Sequence, residues 1–341
     1  MKIHYLNLEE NFTNQIKRYH EQYDKLFFIT QTPILNQNPI INTIIHTDHH
    51  YICSDKEQCK SLEEYEKIIK FLSSKHCNKN SAIISIGGGT VTDLCGFVSS
   101  SYMRGIAHIA VPTTLLGMVD AAIGGKTALN IGQIRNLIGS YKNPDSLIIY
   151  DQFLHTLSKK DIINGYAEIL KYALIMDEKL FIEIENNIDD LLSSMNLDFM
   201  QSIIKKCIKH KLHIVEQDQY DQGIRNILNF GHTVGHALES CSDFKISHGI
   251  AVFHGMRIAS YLSYKKNNIT MKDYNRIIKL IEKINLDKLQ KMNHNRIMEF
   301  IRVDKKNINE KLNYILLKKI GSAYIEKNFD KENIKKALEI L

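Results

Sequence analysis

The segment GHTVGHALESCSDFKISHG, residues 231–249, carries His232, His236 and His248. Histidines four apart in a helix lie on one face, close enough to serve a single metal ion. His248 falls in KISHG, a small polar stretch that reads as the loop or turn after that helix. Three imidazoles in one segment favour a metal site over scattered, half-buried histidines. They do not complete one, because a catalytic Zn²⁺ takes three protein ligands, commonly including a carboxylate, and keeps a position open. Glu168 in GYAEILKYALI is the natural carboxylate. It precedes Lys171 by three residues on one helical face. Ile169, Leu170, Ala173 and Leu174 surround the pair, so the face reads as half buried rather than as an exposed ion pair.

The run GIRNILNFGHTVGH spaces Arg225, Asn229, His232 and His236 by four, three and four, which aligns them on one side of a continuous helix. A solvated stripe would be richer in Lys and Glu, so this one reads as a pocket lining. AIISIGGGTVTD (82–93) is an apolar strand running into three glycines, with Thr90 and Thr92 as helix N-caps and Asp93 in the first turn. Glycines there let backbone approach a phosphate at a helix N-terminus. The spacing is neither GxGxxG nor a P-loop, and a plain tight turn accounts for it equally well. VPTTLLGMVDAAIGGKTALN (111–130) puts Thr113 and Thr114 at a strand end, with Asp120 and Lys126 flanking Gly124-Gly125. A lysine inside so apolar a stretch is costly to bury unless it is paired or faces a ligand. That reading is favoured over a solvent-facing lysine on a hairpin.

The elements that must hold these residues fall into two patterns. Residues 1–154 alternate the β-rich runs KLFFIT, SAIISIGGG, IAHIAVP and SLIIYD with helical patterns such as SLEEYEKIIKFLSS, as a parallel α/β domain does. Residues 155–341 are mostly helical. LSKKDIINGYAEILKYALI opens with Ser158 and Asp161 at capping-box-like spacing, and MQSIIKKCIKHKLHIVEQD repeats apolar residues at helical spacing.

The chain has 341 residues, 44% hydrophobic and 24% charged, ample for two domains with substantial cores. Its net charge of +6 is spread without a long Lys/Arg block, which favours an anionic small molecule over nucleic acid. The six cysteines include no CxxC pair, arguing against a zinc ribbon and a disulfide framework. MKIHYLNLEENF lacks an apolar signal core, and the most apolar stretch is broken by His108, Pro112 and Asp120. A reduced, cytoplasmic protein with no membrane span is expected.

With these motifs assembled, the chain resembles the 3-dehydroquinate synthase family of sugar-phosphate cyclases. The resemblance rests on GGGTVTDLCGFVSSSYMRG, VPTTLLGMVDAAIGGKTALN, GYAEILKY, RNILNFGHTVGHALE, SHGIAVFHGM and DKKN, in family order between about residues 54 and 307. It implies an NAD-binding α/β domain over 1–154 joined to an α-helical metal- and substrate-binding domain over 155–341, with the active site between them. It implies Glu168, His232 and His248 as the metal ligands, for Zn²⁺ or Co²⁺. His236 is then left for substrate contact or proton traffic. NAD would lie against Gly88, Gly89, Asp93, Thr113, Thr114, Thr156 and Leu157, with Glu57, Lys60, Asp120, Lys126 and Arg135 also on the cofactor side. Substrate would be held by Asp120, Lys126, Asn136, Lys171, Lys211, Arg225, Asn229, Lys305 and Lys306. Arg104 resembles an arginine that reaches the neighbouring subunit's site, which implies a homodimer. Arg135 stands where the family pattern has Lys, keeping the charge but changing the hydrogen-bond geometry, and Asp221 replaces a Glu.

The reaction so implied turns 3-deoxy-D-arabino-heptulosonate 7-phosphate into 3-dehydroquinate and phosphate. The expected course is transient oxidation at C5 by NAD⁺, phosphate elimination, re-reduction and intramolecular aldol closure. Cations suit a substrate bearing both a phosphate and a carboxylate. A net-redox polyol dehydrogenase would need no such set, so Lys126, Lys211, Arg225, Lys305 and Lys306 speak against it. Other sugar-phosphate cyclases are nearer rivals.

Overall fold

The computed structural model describes residues 1–45, 48–132, 134–193, 196–284, 293–304 and 312–341. It comprises two compact units, Met1–Ile162 and Ile163–Leu341.

The first unit runs β1 (Lys2–Leu6), α1 (Glu9–Gln22), β2 (Leu26–Gln31), α2 (Thr32–Gln37), α3 (Pro39–Ile44) and β3 (His50–Cys53). It continues through α4 (Leu62–Ser74), β4 (Ala82–Gly87), α5 (Gly89–Ser101), β5 (Ala107–Pro112), β6 (Lys126–Ile131), β7 (Ile134–Tyr141) and β8 (Ser146–Tyr150). Six strands pair in parallel in the order β1-β8-β5-β4-β2-β3. Every residue of β2, β4 and β8 is buried. A sheet covered on both faces is written as continuous apolar runs rather than alternation, which is why these strands stand out in sequence. Phe27, Ile83 and His108 lie in register across β2, β4 and β5. β1 and β3, at the two edges, carry no such run and escape the sequence reading. β6 and β7 form a separate antiparallel hairpin.

α4 shows how a local signal sets an element. Ser61 caps it by accepting from the Glu64 amide at 3.1 Å, Glu63 and Glu64 sit in the first turn, and Glu64, Ile68 and Leu72 form its buried stripe.

The second unit contains most of α6 (Lys159–Met176), then α7 (Glu178–Ser193), α8 (Leu197–Gln217), α9 (His232–Cys241), α10 (His248–Lys265), α11 (Met271–Glu282) and α12 (His294–Asp304). An antiparallel pair, β9 (Tyr314–Lys319) and β10 (Ser322–Glu326), precedes α13 (Lys331–Ala337). This pair lies in a region read from sequence as helical. The cap foreseen for α6 is present: Ser158 Oγ accepts from the Asp161 amide at 3.2 Å and donates to its carboxylate at 2.6 Å. Residues 165–175 of α6 are all buried, as in a helix that is a core element rather than a surface one.

Two sequence expectations about helices are corrected. The stretch from Arg225 to His236 is not one helix: a 3₁₀ turn spans Ile224–Asn229, and Gly231, at φ +79°, starts a new direction before α9. A Cβ at Gly231 would stand 2.7 Å from Met256 Cγ. Both the left-handed backbone and the close packing therefore demand glycine. Arg225 and Asn229 consequently do not share a helical face with His232 and His236. His248 in turn is not in a loop but is the first residue of α10.

Candidate functional site

α9 and α10 are brought together because Gly255 has no side chain. A Cβ there would lie 1.8 Å from the Gly231 carbonyl oxygen. This close approach sets the imidazoles of His232 and His236 against His248, with ring centroids 5.4 and 6.3 Å from it. α6 supplies Glu168, whose Oε1 is 3.3 Å from His232 Nε2 and 3.2 Å from His248 Nε2. Its Oε2 contacts the Lys171 ammonium; Glu168 is fully buried and Lys171 is 2% exposed.

The chemistry of this donor set fits a cation. His232 Nδ1 lies 3.1 Å from the Phe230 carbonyl oxygen, to which it donates, leaving Nε2 as the lone-pair nitrogen facing Glu168. A lone pair aimed at a carboxylate oxygen is repulsive until a cation comes between them. The 3.2–3.3 Å separations match the edge of a tetrahedron with ligand bonds of about 2.0–2.1 Å. The ligand atoms of Glu168, His232 and His248 all lie within 4.8 Å of one another. Those of His236, Glu239 and His248 do as well, because His248 offers both ring nitrogens.

Electrostatics follow the geometry. Burial pushes the Glu168 carboxyl up, but Lys171 and then the two histidines outweigh it and hold the group well below the usual carboxylate range. Burial lowers His232, with Glu168 only partly opposing it. Burial would lower His248 too, yet its contacts with Glu168 and Glu239 push it up to about 10.

Two further cations expected in this unit, Lys211 and Arg225, are held apart from bulk water. Lys211, 6% exposed, occupies a position on the buried stripe of α8 between Ile208 and Ile214. Arg225, 3% exposed, donates from Nη1 to the Gln219 carbonyl at 2.7 Å. Asp218 braces the loop before it, accepting from the amides of Gln222, Gly223 and Arg225 at 3.0, 2.7 and 3.0 Å. Asp221 sits in that loop with φ +58°. Asn229 ends the 3₁₀ turn. Lys305 and Lys306 lie outside the described residues.

In the first unit, the expected cofactor residues follow the carboxyl ends of β3, β4, β5 and β8, the edge where open α/β sheets take ligands. Gly88 caps α5 and abuts Thr114, whose Cγ2 would be 3.2 Å from an added Cβ; the same test at Gly89 meets Ala121 at 3.0 Å. The Thr113 amide donates to the Gly87 carbonyl at 2.9 Å, tying the two strand ends. Thr90 and Thr92 lie within α5 and are not its cap; Thr92 Oγ1 donates to the Gly89 carbonyl at 3.1 Å. Asp120 is in a single π-turn, Gly117–Ala121, and Thr156 closes the 3₁₀ turn after β8, followed by Leu157.

Lys60 is 4% exposed and donates to Asp93 Oδ2 at 2.7 Å and to Asn136 Oδ1 at 2.6 Å. Asp93 is therefore the partner of a buried ammonium rather than a first-turn carboxylate. Asn130, which the sequence reading passed over, accepts from the Asn136 amide at 2.9 Å and donates to Glu57 Oε1 at 2.8 Å. Lys126, which the sequence reading favours as paired or facing a ligand, is exposed at the start of the β6–β7 hairpin. It lines an open cleft with Thr92, Asp93, Ala121, Thr127 and Lys142. Arg135 is exposed on β7. Arg104 is exposed in a tight turn where it and Met103 both adopt left-handed backbone, at φ +61° and +48°.

This architecture has close structural counterparts. A 2-epi-5-epi-valiolone synthase from Streptomyces hygroscopicus, solved with NAD⁺ and Zn²⁺ bound, matches with a TM-score of 0.89 at 22% identity, covering 99% of this chain and 96% of that one. A 2-deoxy-scyllo-inosose synthase, complexed with carbaglucose-6-phosphate, NAD⁺ and Co²⁺, matches with a TM-score of 0.87 at 23% identity, again covering 99% and 96%. The fold is thus dehydroquinate synthase-like, a parallel α/β unit and a mostly helical one. Sequence narrows the class. The 3-dehydroquinate synthase N-terminal family matches residues 50–164, and the 3-dehydroquinate synthase C-terminal family matches residues 165–307. A 3-dehydroquinate synthase from Dictyoglomus turgidum is 38% identical over 325 residues, 95% of this chain and 91% of that one. The chain belongs to the 3-dehydroquinate synthase family.

Proposed function

We propose that this chain is a phosphorus–oxygen lyase that converts 3-deoxy-D-arabino-heptulosonate 7-phosphate to 3-dehydroquinate and phosphate, using NAD and one divalent metal ion. The observation that carries the choice of substrate is the 38% identity to a 3-dehydroquinate synthase across 95% of the chain. The synthases of other cyclic products share its fold at 22% and 23%.

Glu168, His232 and His248 would hold the metal, with Zn²⁺ as the expected ion and Co²⁺ as the alternative. Bound there, the ion supplies Lewis acidity to adjacent substrate hydroxyls. Gly88, Gly89, Thr113, Thr114, Thr156 and Leu157 would cradle NAD, which supplies a reversible hydride acceptor. Lys126, Lys171, Lys211 and Arg225 orient the two anionic groups of the substrate. Each charge-assisted contact is worth about 1.5–3 kcal/mol. Buried cations contribute most, because little water screens them. Asp120, Asn136 and Asn229 complete the hydrogen bonding to hydroxyls, and His236 contacts the substrate or carries a proton. Glu57, Lys60, Asp93 and Arg135 stand on the cofactor side.

Arg104, exposed on its strained turn, reaches the site of a second copy in a homodimer. No helix among the described residues is long and apolar enough to cross a membrane, and all six cysteines are free thiols. The free thiols fit a reduced, cytoplasmic setting.

The test is a redox balance. NAD⁺ supplied below the substrate concentration should sustain many turnovers, with one phosphate released per substrate and no lasting rise in NADH absorbance. NADH accumulating in proportion to product would mean a net dehydrogenase and end this reading.

A further inference from the structure

We infer that Glu239 is a positioning residue for the metal: it fixes the ring of His248 so that Nε2, and not Nδ1, faces the ligand centre. The inference rests on the metal reading above and adds to it a residue outside the ligand set.

Glu239 is 6% exposed on α9, and its Oε2 lies 3.3 Å from His248 Nδ1. Its neighbours on α9 include His232 seven residues before and His236 three before, so all three side chains project from one helical face. A carboxylate accepts from an N–H and repels a bare nitrogen lone pair. Opposite Glu239, His248 therefore holds a proton on Nδ1, so that a cation displacing the proton between the ring and Glu168, 3.2 Å away, meets the Nε2 lone pair. His232 is fixed in the same sense, with the Phe230 carbonyl in the role of Glu239. Each imidazole thus has its outer nitrogen committed to an oxygen acceptor, and both inner nitrogens converge. A carboxylate behind a ligating histidine also raises the basicity of the ring and holds its plane.

The backbone of His248 is anchored independently of Glu239. The Gly249 amide donates to Asn164 Oδ1 at 3.0 Å, from one turn before Glu168 on α6, and a Cβ on Gly249 would stand 2.5 Å from Asn164 Cα. Loss of the Glu239 carboxylate therefore frees the ring without displacing the helix that carries it. This makes the effect of Glu239 separable from a general loss of structure.

The experiment uses the metal-free full-length protein titrated with Co²⁺ alone, followed by the visible absorption of the bound ion in the presence of a competing chelator. Glu239→Ala should weaken Co²⁺ affinity about 10- to 100-fold, the usual range for such outer partners. Glu239→Gln, which keeps an acceptor for the Nδ1 proton but no charge, should fall between Glu239→Ala and the parent. The cobalt band should broaden or shift in Glu239→Ala, and the melting temperature of the metal-free protein should stay close to the parent's. Affinity within twofold of the parent in both variants would overturn the inference. Weakening that only tracks a matching fall in the metal-free melting temperature would overturn it as well. If Glu239→Ala fails to fold, Glu239→Gln decides alone. Should the parent chain itself not bind one Co²⁺, the metal reading fails rather than this one.

Discussion

The two units bury charge in opposite ways. In the first, the buried ammonium of Lys60 sits between Asp93 and Asn136, and His108 shares a proton through Nε2 with Ser85 Oγ at 2.8 Å, its Nδ1 having no hydrogen-bond partner. In the second, one buried carboxylate, Glu168, faces an ammonium and two imidazoles. The Lys60 pairing needs no further charge. The Glu168 cluster is complete only with a positive charge among its donors, either a proton or a metal ion. Burial costs the charged form in both places, and what differs is the number of opposite charges supplied. The same residue type shows the contrast. Burial lowers His108 to about 3, so it stays neutral, whereas Glu168 and Glu239 override burial at His248 and push it up to about 10. A neutral histidine held through one ring nitrogen serves packing. One held ready to exchange its proton serves binding.

The contrast is broken most directly by removing the shared carboxylate. Glu168→Ala should abolish stoichiometric metal and activity together, and it leaves Lys171 buried without its counter-charge. Deleting one partner of a buried pair costs about 3–5 kcal/mol. The matching deletion in the first unit, Asp93→Ala, leaves Lys60 its 2.6 Å contact with Asn136 and so should cost clearly less. Urea unfolding of the two metal-free variants compares them, and equal losses would erase the distinction. A finer cut separates the histidines. His248→Ala should strip the metal, while His236→Ala should retain one ion per chain and lose turnover. Elemental analysis of the purified variants reads this directly, and the reverse pattern would move the site to His236 and Glu239.

How much of this was legible depended on the range of the forces involved. Buried strands such as β2, β4 and β8 announce themselves because both faces are apolar, and α4 and α6 because their caps are local. The edge strands β1 and β3 are specified by their neighbours in the sheet, which sequence spacing does not reveal. The break at Gly231 is set by Met256, twenty-five residues on, so helical spacing alone ran Arg225 through to His236. Glu168 and the histidines were visible as residue types, but the choice of His248 over His236 came from family resemblance and not from spacing. Glu239 had a local signal, since it continues the His232–His236 face of α9. Spacing alone does not separate a carboxylate that stands behind a ligand from a solvated one on the same face. Asn130 and Asn164 had none: each acts through contacts with distant segments.

The smallest effect concerns pH, and it should carry opposite signs in the two units. His108 has a folded pKa of about 3, below its ordinary 6.5, so between those values the unfolded chain binds a proton that the folded chain refuses. Stability around β5 is therefore full above pH 6.5 and falls as pH drops toward 3, by at most about 1.4 kcal/mol per pH unit for one proton. His248 in the metal-free protein has a folded pKa of about 10, above 6.5, so its contribution is full below pH 6.5 and is lost as pH rises toward 10. Thiols and tyrosines ionise at the upper end of that range, so pH 6.5 to 8 is the window in which they interfere least with His248. Hydrogen exchange resolves the two regions separately. Protection in β5 should weaken from pH 6.5 to 5, and replacing His108 with Gln should flatten that slope. Protection in the first turns of α10 should weaken from pH 6.5 to 8 in the metal-free protein. Metal loading should abolish this second slope, because a ligated His248 no longer holds the proton. Loss of α10 protection on the alkaline side that is identical with and without metal would show that His248 is not the group exchanged.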